Sequence, residues 1–258
     1  APFRYIHRRL DGADLYFVAS RAAETVEATL RFRVTGRRPE LWDPVTGRRR
    51  AVTEYREDNG RSVLRLRFAP HQSMFVLFQE DRRDLPPGDW CAADAPAPRT
   101  VTAVSGPWRG RFDPELGGPG EVTFDTLTDW TTHPDTSIRH YSGIATYRGS
   151  FTLSGDAAAG RLLLHLGEVR CMARVRLNGR ELGVVWCAPW QVDVAGIARP
   201  GENRLEIEVA NLWPNRLIGD QGLPEPKRVA WSTWNPYQAD SPLLASGLLG
   251  PVRILSRE

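Results

Sequence analysis

What most constrains this chain is a succession of short segments in which apolar and polar residues alternate one by one. In T-V-E-A-T-L-R-F-R-V, Val26, Ala28, Leu30, Phe32 and Val34 fall on one face and Glu27, Thr29, Arg31 and Arg33 on the other. That period of two belongs to a half-buried strand. S-V-L-R-L-R-F (Ser62 to Phe68) and R-L-E-I-E-V-A (Arg204 to Ala210) repeat it, and Met74 to Phe78 reads as a fully buried strand. Asp11-Gly12, Asn59-Gly60 and Asn178-Gly179 are hairpin-turn dipeptides, and D-P-V-T-G, Asp43 to Gly47, supplies turn chemistry of its own. Further strands are expected at 122–124, 145–153, 161–166, 174–177, 182–185, 205–209 and 252–255. The expected class is all-β.

A chain of 258 residues accommodates two cores of ordinary size. D-L-P-P-G-D-W-C-A-A-D-A-P-A-P-R, Asp84 to Arg99, is rich in proline and alanine and has neither periodicity, which marks a linker. The expected organisation is a small antiparallel β-sandwich over 1–83, a linker over 84–99, and a jelly roll over 100–258. The segment Asn211 to Asp220 is expected to be a loop following a strand.

Several classes are disfavoured. The formal charge is +3 and Lys227 is the single lysine, so the basic character is that of arginine. Arg31, Arg33, Arg65 and Arg67 alternate along strands instead of forming a patch, which argues against a nucleic-acid partner. No apolar run approaches the ~20 residues of a membrane span. Cys91, Cys171 and Cys187 allow at most one disulfide and have no metal-ligand spacing. The opening A-P-F-R-Y-I-H-R-R has no signal-peptide core, and the chain reads as a piece of something longer.

The residues with recognisable binding chemistry lie in the second half. Trp186 and Trp190 bracket Cys187-Ala188-Pro189, and N-L-W-P-N-R-L-I-G-D places Asn211, Trp213, Asn215 and Arg216 together after a strand. Indole faces stack on the C–H face of a pyranose, and amides and guanidinium groups bond its hydroxyls. These six residues are the candidate sugar-contacting set. Core or interdomain packing is the competing reading of the same tryptophans. D-T-L-T-D-W-T-T-H-P-D, Asp125 to Asp135, is oxygen-rich but lacks EF-hand spacing, and W-S-T-W-N-P-Y, Trp231 to Tyr237, lines a groove or covers a core. Glu168, Asp193 and Asp220 are available carboxylates, yet no spacing singles out the acid/base pair of a glycosidase. No catalytic residue and no metal ligand is assigned.

Y-R-G-S-F-T-L, L-H-L-G-E-V-R-C-M-A-R-V-R-L-N-G-R-E-L-G, W-C-A-P-W-Q-V-D-V and R-P-G-E-N-R-L-E-I-E-V-A-N-L-W together resemble the sugar-binding, galactose-binding-domain-like jelly roll of family-two-type glycoside hydrolases. Y-I-H-R-R-L-D-G-A-D-L-Y-F-V, P-E-L-W-D-P-V-T-G, E-V-T-F-D-T-L-T-D-W, N-L-W-P-N-R-L-I-G-D and S-G-L-L-G-P-V-R-I resemble the C-terminal part of glycoside hydrolase family 106, the α-L-rhamnosidases. The resemblance implies that hydrolysis, assisted by calcium, belongs to an upstream (β/α) barrel. The strand–helix alternation of such a barrel is absent from this sequence. It further implies a non-catalytic accessory region whose partners are that barrel and a rhamnose-containing glycan. The parent enzyme would be periplasmic or secreted, and no cofactor is implied within the chain itself. A free-standing carbohydrate-binding module and a structural interaction module are the alternatives.

Overall fold

A computed structural model describes residues 2–80, 98–155 and 160–256, and the chain divides into two compact units, Ala1–Ala95 and Pro96–Glu258. The expected linker falls outside the described residues except for Pro98 and Arg99, and Arg99 already opens a strand.

The first unit is built from β1 (Phe3–Leu10), β2 (Ala13–Ser20), β3 (Val26–Phe32), β4 (Arg38–Trp42), β5 (Arg49–Ala51), β6 (Tyr55–Asp58), β7 (Arg61–Phe68) and β8 (Ser73–Gln79). They form two antiparallel sheets, β1-β2-β8-β4-β5 and β3-β7-β6. Asp11-Gly12 turns β1 into β2, and Asn59-Gly60, both with positive φ, turns β6 into β7. Two successive left-handed residues suit a tight hairpin because their twist matches that of the strands. The alternation seen in the sequence sends Phe32, Leu64, Leu66, Phe68, Val76 and Phe78 into one core.

The second unit contains β9 (Arg99–Ala103), β10 (Trp108–Arg111), β11 (Glu121–Phe124), α1 (Thr136–Arg139), β12 (Ile144–Leu153), β13 (Leu162–His165), β14 (Glu168–Arg170), β15 (Met172–Leu177), β16 (Arg180–Val185), β17 (Gln191–Asp193), β18 (Gly201–Ala210), α2 (Pro214–Gln221), β19 (Gly247–Gly250) and β20 (Arg253–Ser256). A six-stranded sheet, β11-β10-β12-β18-β15-β16, a four-stranded sheet, β17-β13-β20-β9, and the pair β14-β19 surround a core that includes Trp108, Phe112, Trp130, Tyr141 and Tyr147. Asn178-Gly179 makes the β15–β16 hairpin.

Trp130 shows how tightly this core is specified. Its indole donates to the Tyr147 hydroxyl, and burial pushes the Tyr147 phenol well up. A Cβ on Gly247 would lie 2.4 Å from the Trp130 Nε1, and φ there is +100°. Only glycine satisfies both conditions.

Candidate functional site

The outer face of the six-stranded sheet is laid out by register. Arg148, Glu206 and Arg176 form one cross-strand row, and Thr146, Glu208 and Arg174 form the next. Arg148 and Arg176 reach Glu206 at 2.8 and 2.9 Å, and Arg176 and Arg174 reach Glu208 at 2.9 and 3.0 Å. Burial raises the Glu206 carboxyl, but the hydrogen bonds from Arg176 and Arg148 outweigh it and bring the pKa below its ordinary value. The next row changes character. Ile144, Ala210 and Met172 pair across β12, β18 and β15, and Ile144 and Met172 are exposed. Trp186 follows directly on the Ala173–Val185 pair at the same end of the sheet and is 56% exposed. There β18 runs on into Asn211, Leu212 and Trp213.

From that point the chain departs from its sequence reading. Asn211 to Asp220 is not a loop: α2 starts at Pro214, with Trp213 at the N-cap. Proline is pre-set for this first helical position because its φ is fixed and its missing N–H is not needed there. Trp213 is 59% exposed, as a stacking surface would be, and Leu212 beside it is exposed as well. The polar residues meant to accompany it are committed elsewhere. Asn211 accepts from the Gly143 N–H at 3.0 Å and donates to the Tyr141 carbonyl at 2.7 Å. Asn215 donates to the Leu244 carbonyl at 2.7 Å and accepts from the Leu244 N–H at 2.8 Å, and its amide also reaches Ser246 Oγ at 3.3 Å.

Arg216 is 7% exposed and lies 3.0 Å from Asp220 in a buried i,i+4 ion pair. The contact has ion-pair distance without hydrogen-bond alignment: Asp220 Oδ1 and Arg216 Nε make no hydrogen bond. The other Asp220 oxygen accepts from Val229 N and Ala230 N at 3.1 and 2.8 Å. Side chains on Gly117 and Gly219 would begin 3.2 and 3.1 Å from the guanidinium nitrogens, so the space around Arg216 depends on both glycines. His140 is held below the usual imidazole pKa, first by burial and then by the Arg216 charge. Thus Asn211 and Asn215 tie segments of the protein together, and Arg216 is buried beside Asp220 within α2.

Of the remaining candidates, Trp190 is partly buried against the core, and its carbonyl accepts from Leu166 N at 2.7 Å. The most exposed indoles in the unit are Trp231 and Trp234, at 77% and 74%, which the sequence reading left outside the candidate set. Their segment is tied to α2 through Asn235, whose amide donates to the Leu217 carbonyl at 3.3 Å. The available signal was the absence of apolar alternation around W-S-T-W-N-P-Y: neither indole sits in a strand or helix pattern that would bury it.

The oxygen-rich segment 125–135 is capping chemistry. Asp129 accepts from Thr131 N at 2.9 Å and Ser246 N at 3.1 Å, and Asp135 caps α1 through Ser137 N at 2.8 Å. Ser137 Oγ donates to the same carboxylate at 2.7 Å, and the two bonds, from side chain and backbone, hold the Asp135 carboxyl below its ordinary pKa. Among the described residues no group of three or more His, Cys, Asp or Glu is placed to hold a metal ion. Glu168 pairs with Arg170, and Asp193 accepts from Ala195 N at 2.9 Å. Cys171 carries a free thiol, and Cys91 lies outside the described residues. Among the described residues no helix is long and apolar enough to cross a membrane.

Comparison with known proteins agrees with this architecture. Residues 1–57 match the family model of the α-L-rhamnosidases of glycoside hydrolase family 106, and residues 135–232 match the galactose-binding domain-like model of glycosyl hydrolase family 2. A solved rhamnosidase from Novosphingobium sp. PP1Y is 34% identical and superposes with a TM-score of 0.81, over 98% of this chain and 24% of that one. A Formosa agariphila protein provisionally named beta-glucuronidase is 36% identical over 176 residues, which is 58% of this chain and 15% of that protein. The chain therefore spans only a minor part of the length of these relatives. It consists of glycoside-hydrolase-related β-domains, similar to the family 106 α-L-rhamnosidases over residues 1–57 and to the family 2 galactose-binding-like domain over residues 135–232.

Proposed function

We propose that this chain is a non-catalytic accessory region of an α-L-rhamnosidase-like glycoside hydrolase, and that its sheet-end apolar surface docks on the catalytic barrel of that enzyme. One observation carries the reading: Ile144, Met172, Leu212 and Trp213 are exposed, while the amides beside Trp213 are engaged by backbone groups and the Arg216 guanidinium is buried beside Asp220. A sugar site needs aromatic faces and free hydrogen-bonding groups in one place. A protein interface needs an apolar centre with a polar rim. The Arg/Glu ladder beside the row supplies such a rim.

Calorimetric titration of the purified chain with L-rhamnose and with a rhamnose-containing oligosaccharide tests this. No heat of binding is expected at the Trp213 surface. Saturable binding that disappears in Trp213→Ala would replace docking with sugar contact. A second reading, direct glycan contact, draws on Trp231 and Trp234, whose exposure suits stacking. Binding lost in Trp231→Ala and Trp234→Ala, but kept in Trp213→Ala, would favour it.

A further inference from the structure

The first unit contains a cavity of about 180 Å³ between β1, β2 and β3. Phe3, Val18, Leu30 and Phe32 give it apolar walls, and its charged lining residues are all arginines: Arg31, Arg33 and Arg61. Arg31 is engaged by Asp58, whereas Arg33 and Arg61 have no carboxylate within ion-pair distance among the described residues.

Tyr16 also lines this cavity, is only 4% exposed, and has a buried hydroxyl without a hydrogen-bond partner. The Arg33 backbone N–H lies alongside but does not meet hydrogen-bond geometry, and burial pushes the phenol up so that it keeps its proton. The ring has no freedom to turn that hydroxyl toward water. His7 stacks on it with centroids 4.1 Å apart and an interplanar angle of 2°, Phe32 meets it edge-on at 4.9 Å, and His7 is itself bonded to Asp14 at 2.8 Å. A buried donor without an acceptor destabilises a fold, so its presence points to something that pairs with it.

We propose that this cavity binds a single six-membered ring bearing a carboxylate. A dry cavity of roughly 150 Å³ accepts benzene, so the volume here suits one ring with a small substituent. The ring would lie against the apolar walls, and the carboxylate would accept from the Tyr16 hydroxyl, a short charge-assisted bond. Arg33 and Arg61 are the cations left to balance its charge. Neither family match assigns a site to this position, and the inference is independent of the docking surface on the second unit.

The test is a titration of the full chain with benzoate, glucuronate and benzyl alcohol, followed by NMR or calorimetry. Saturable binding of benzoate or glucuronate, with benzyl alcohol at least about tenfold weaker, is expected. Benzoate alone would define an aromatic acid as ligand, and glucuronate alone a sugar acid. Tyr16→Phe should keep or raise the melting temperature, because it removes an unsatisfied hydroxyl, and should weaken binding by roughly tenfold or more. Arg33→Gln and Arg61→Gln together should weaken it further and remove its salt dependence. Binding of neither acid, or benzyl alcohol binding as well as benzoate, would overturn the proposal. So would Tyr16→Phe lowering the melting temperature while affinity stays unchanged.

Discussion

The two sides of the segment Asn211 to Asp220 are inverted relative to an ordinary surface helix. Asn215, Arg216 and Asp220 face inward and are buried, together with Ile218, while Leu212 and Trp213 face out. An amphipathic helix places its apolar stripe on the core because burial of apolar area drives packing. Here Asn215 is satisfied by the Leu244 backbone and one Asp220 oxygen by the Val229 and Ala230 N–H groups, while Arg216 Nε and the other Asp220 oxygen make no hydrogen bond. Such contacts fix position more than they add stability, since desolvation offsets much of the gain. The outward apolar groups, Leu212 and Trp213, are each more than half exposed. Polarity thus separates a fastening side from an exposed apolar side, and the following experiments press on that division.

The largest effect is expected from Asp220→Ala. It strands the buried Arg216 charge and frees the Val229 and Ala230 N–H groups, at a cost of about 3 to 5 kcal/mol. Urea denaturation of the second unit would register this as a large fall in midpoint. A loss below about 1 kcal/mol would mean that the pair is solvated like a surface bridge.

Asn215→Ala should cost less, about 1 to 3 kcal/mol, because it leaves the Leu244 backbone groups unpaired without burying a charge. Hydrogen exchange at Leu244 and Ser246 should quicken with it. Unchanged exchange there would show that the amide does not fasten that segment.

Trp213→Ala lies on the other side of the division. Its stability should change by no more than about 0.5 kcal/mol, the ordinary range for an exposed side chain away from special features. A loss of about 3 kcal/mol or more, the cost of truncating a core aromatic, would mean that the indole is packed in solution.

The smallest effect is a pH dependence. His140 has a folded pKa below the ordinary 6.5, so above that value both states are neutral and the fold loses nothing. As pH falls through 6.5 the unfolded chain takes up the proton first, and stability declines until the folded-state pKa is passed. His165, lowered by burial and then by Arg253, acts in the same direction. The melting temperature should therefore drop between pH 7 and 5, and less so in His140→Gln. A variant whose profile superposes on the parent would remove His140 from the account.

Most of the architecture was legible because it rests on period two and on turn chemistry, both of which are local. Val26 to Phe32 and Arg204 to Ala210 appear as strands, and Asn59-Gly60 and Asn178-Gly179 turn where they should. The helix α2 was not legible. It is eight residues long, its buried positions are mostly polar, and Trp213 offers no side-chain cap, so the usual start and periodicity signals are missing. Pro214 alone marked it. The candidate site was half legible for a related reason. Exposure of Trp213 and Trp186 follows from their places at strand ends, but the fate of Asn211, Asn215 and Arg216 was decided by groups up to 70 residues away, such as Tyr141 for Asn211. Trp130 illustrates the converse, since its burial depends on Gly247 and Tyr147 together.

The central claim, that the sheet-end surface docks on a catalytic barrel, is tested most directly by mixing this chain with a separately purified catalytic barrel of a family 106 α-L-rhamnosidase and following co-elution by size-exclusion chromatography. The account predicts a complex formed by the parent chain and by Asp193→Ala, and lost in the double variant Met172→Asp, Trp213→Asp at unchanged melting temperature. A complex that survives the double variant, or a parent chain that elutes alone while the same surface binds rhamnose in a Trp213-dependent way, would contradict it.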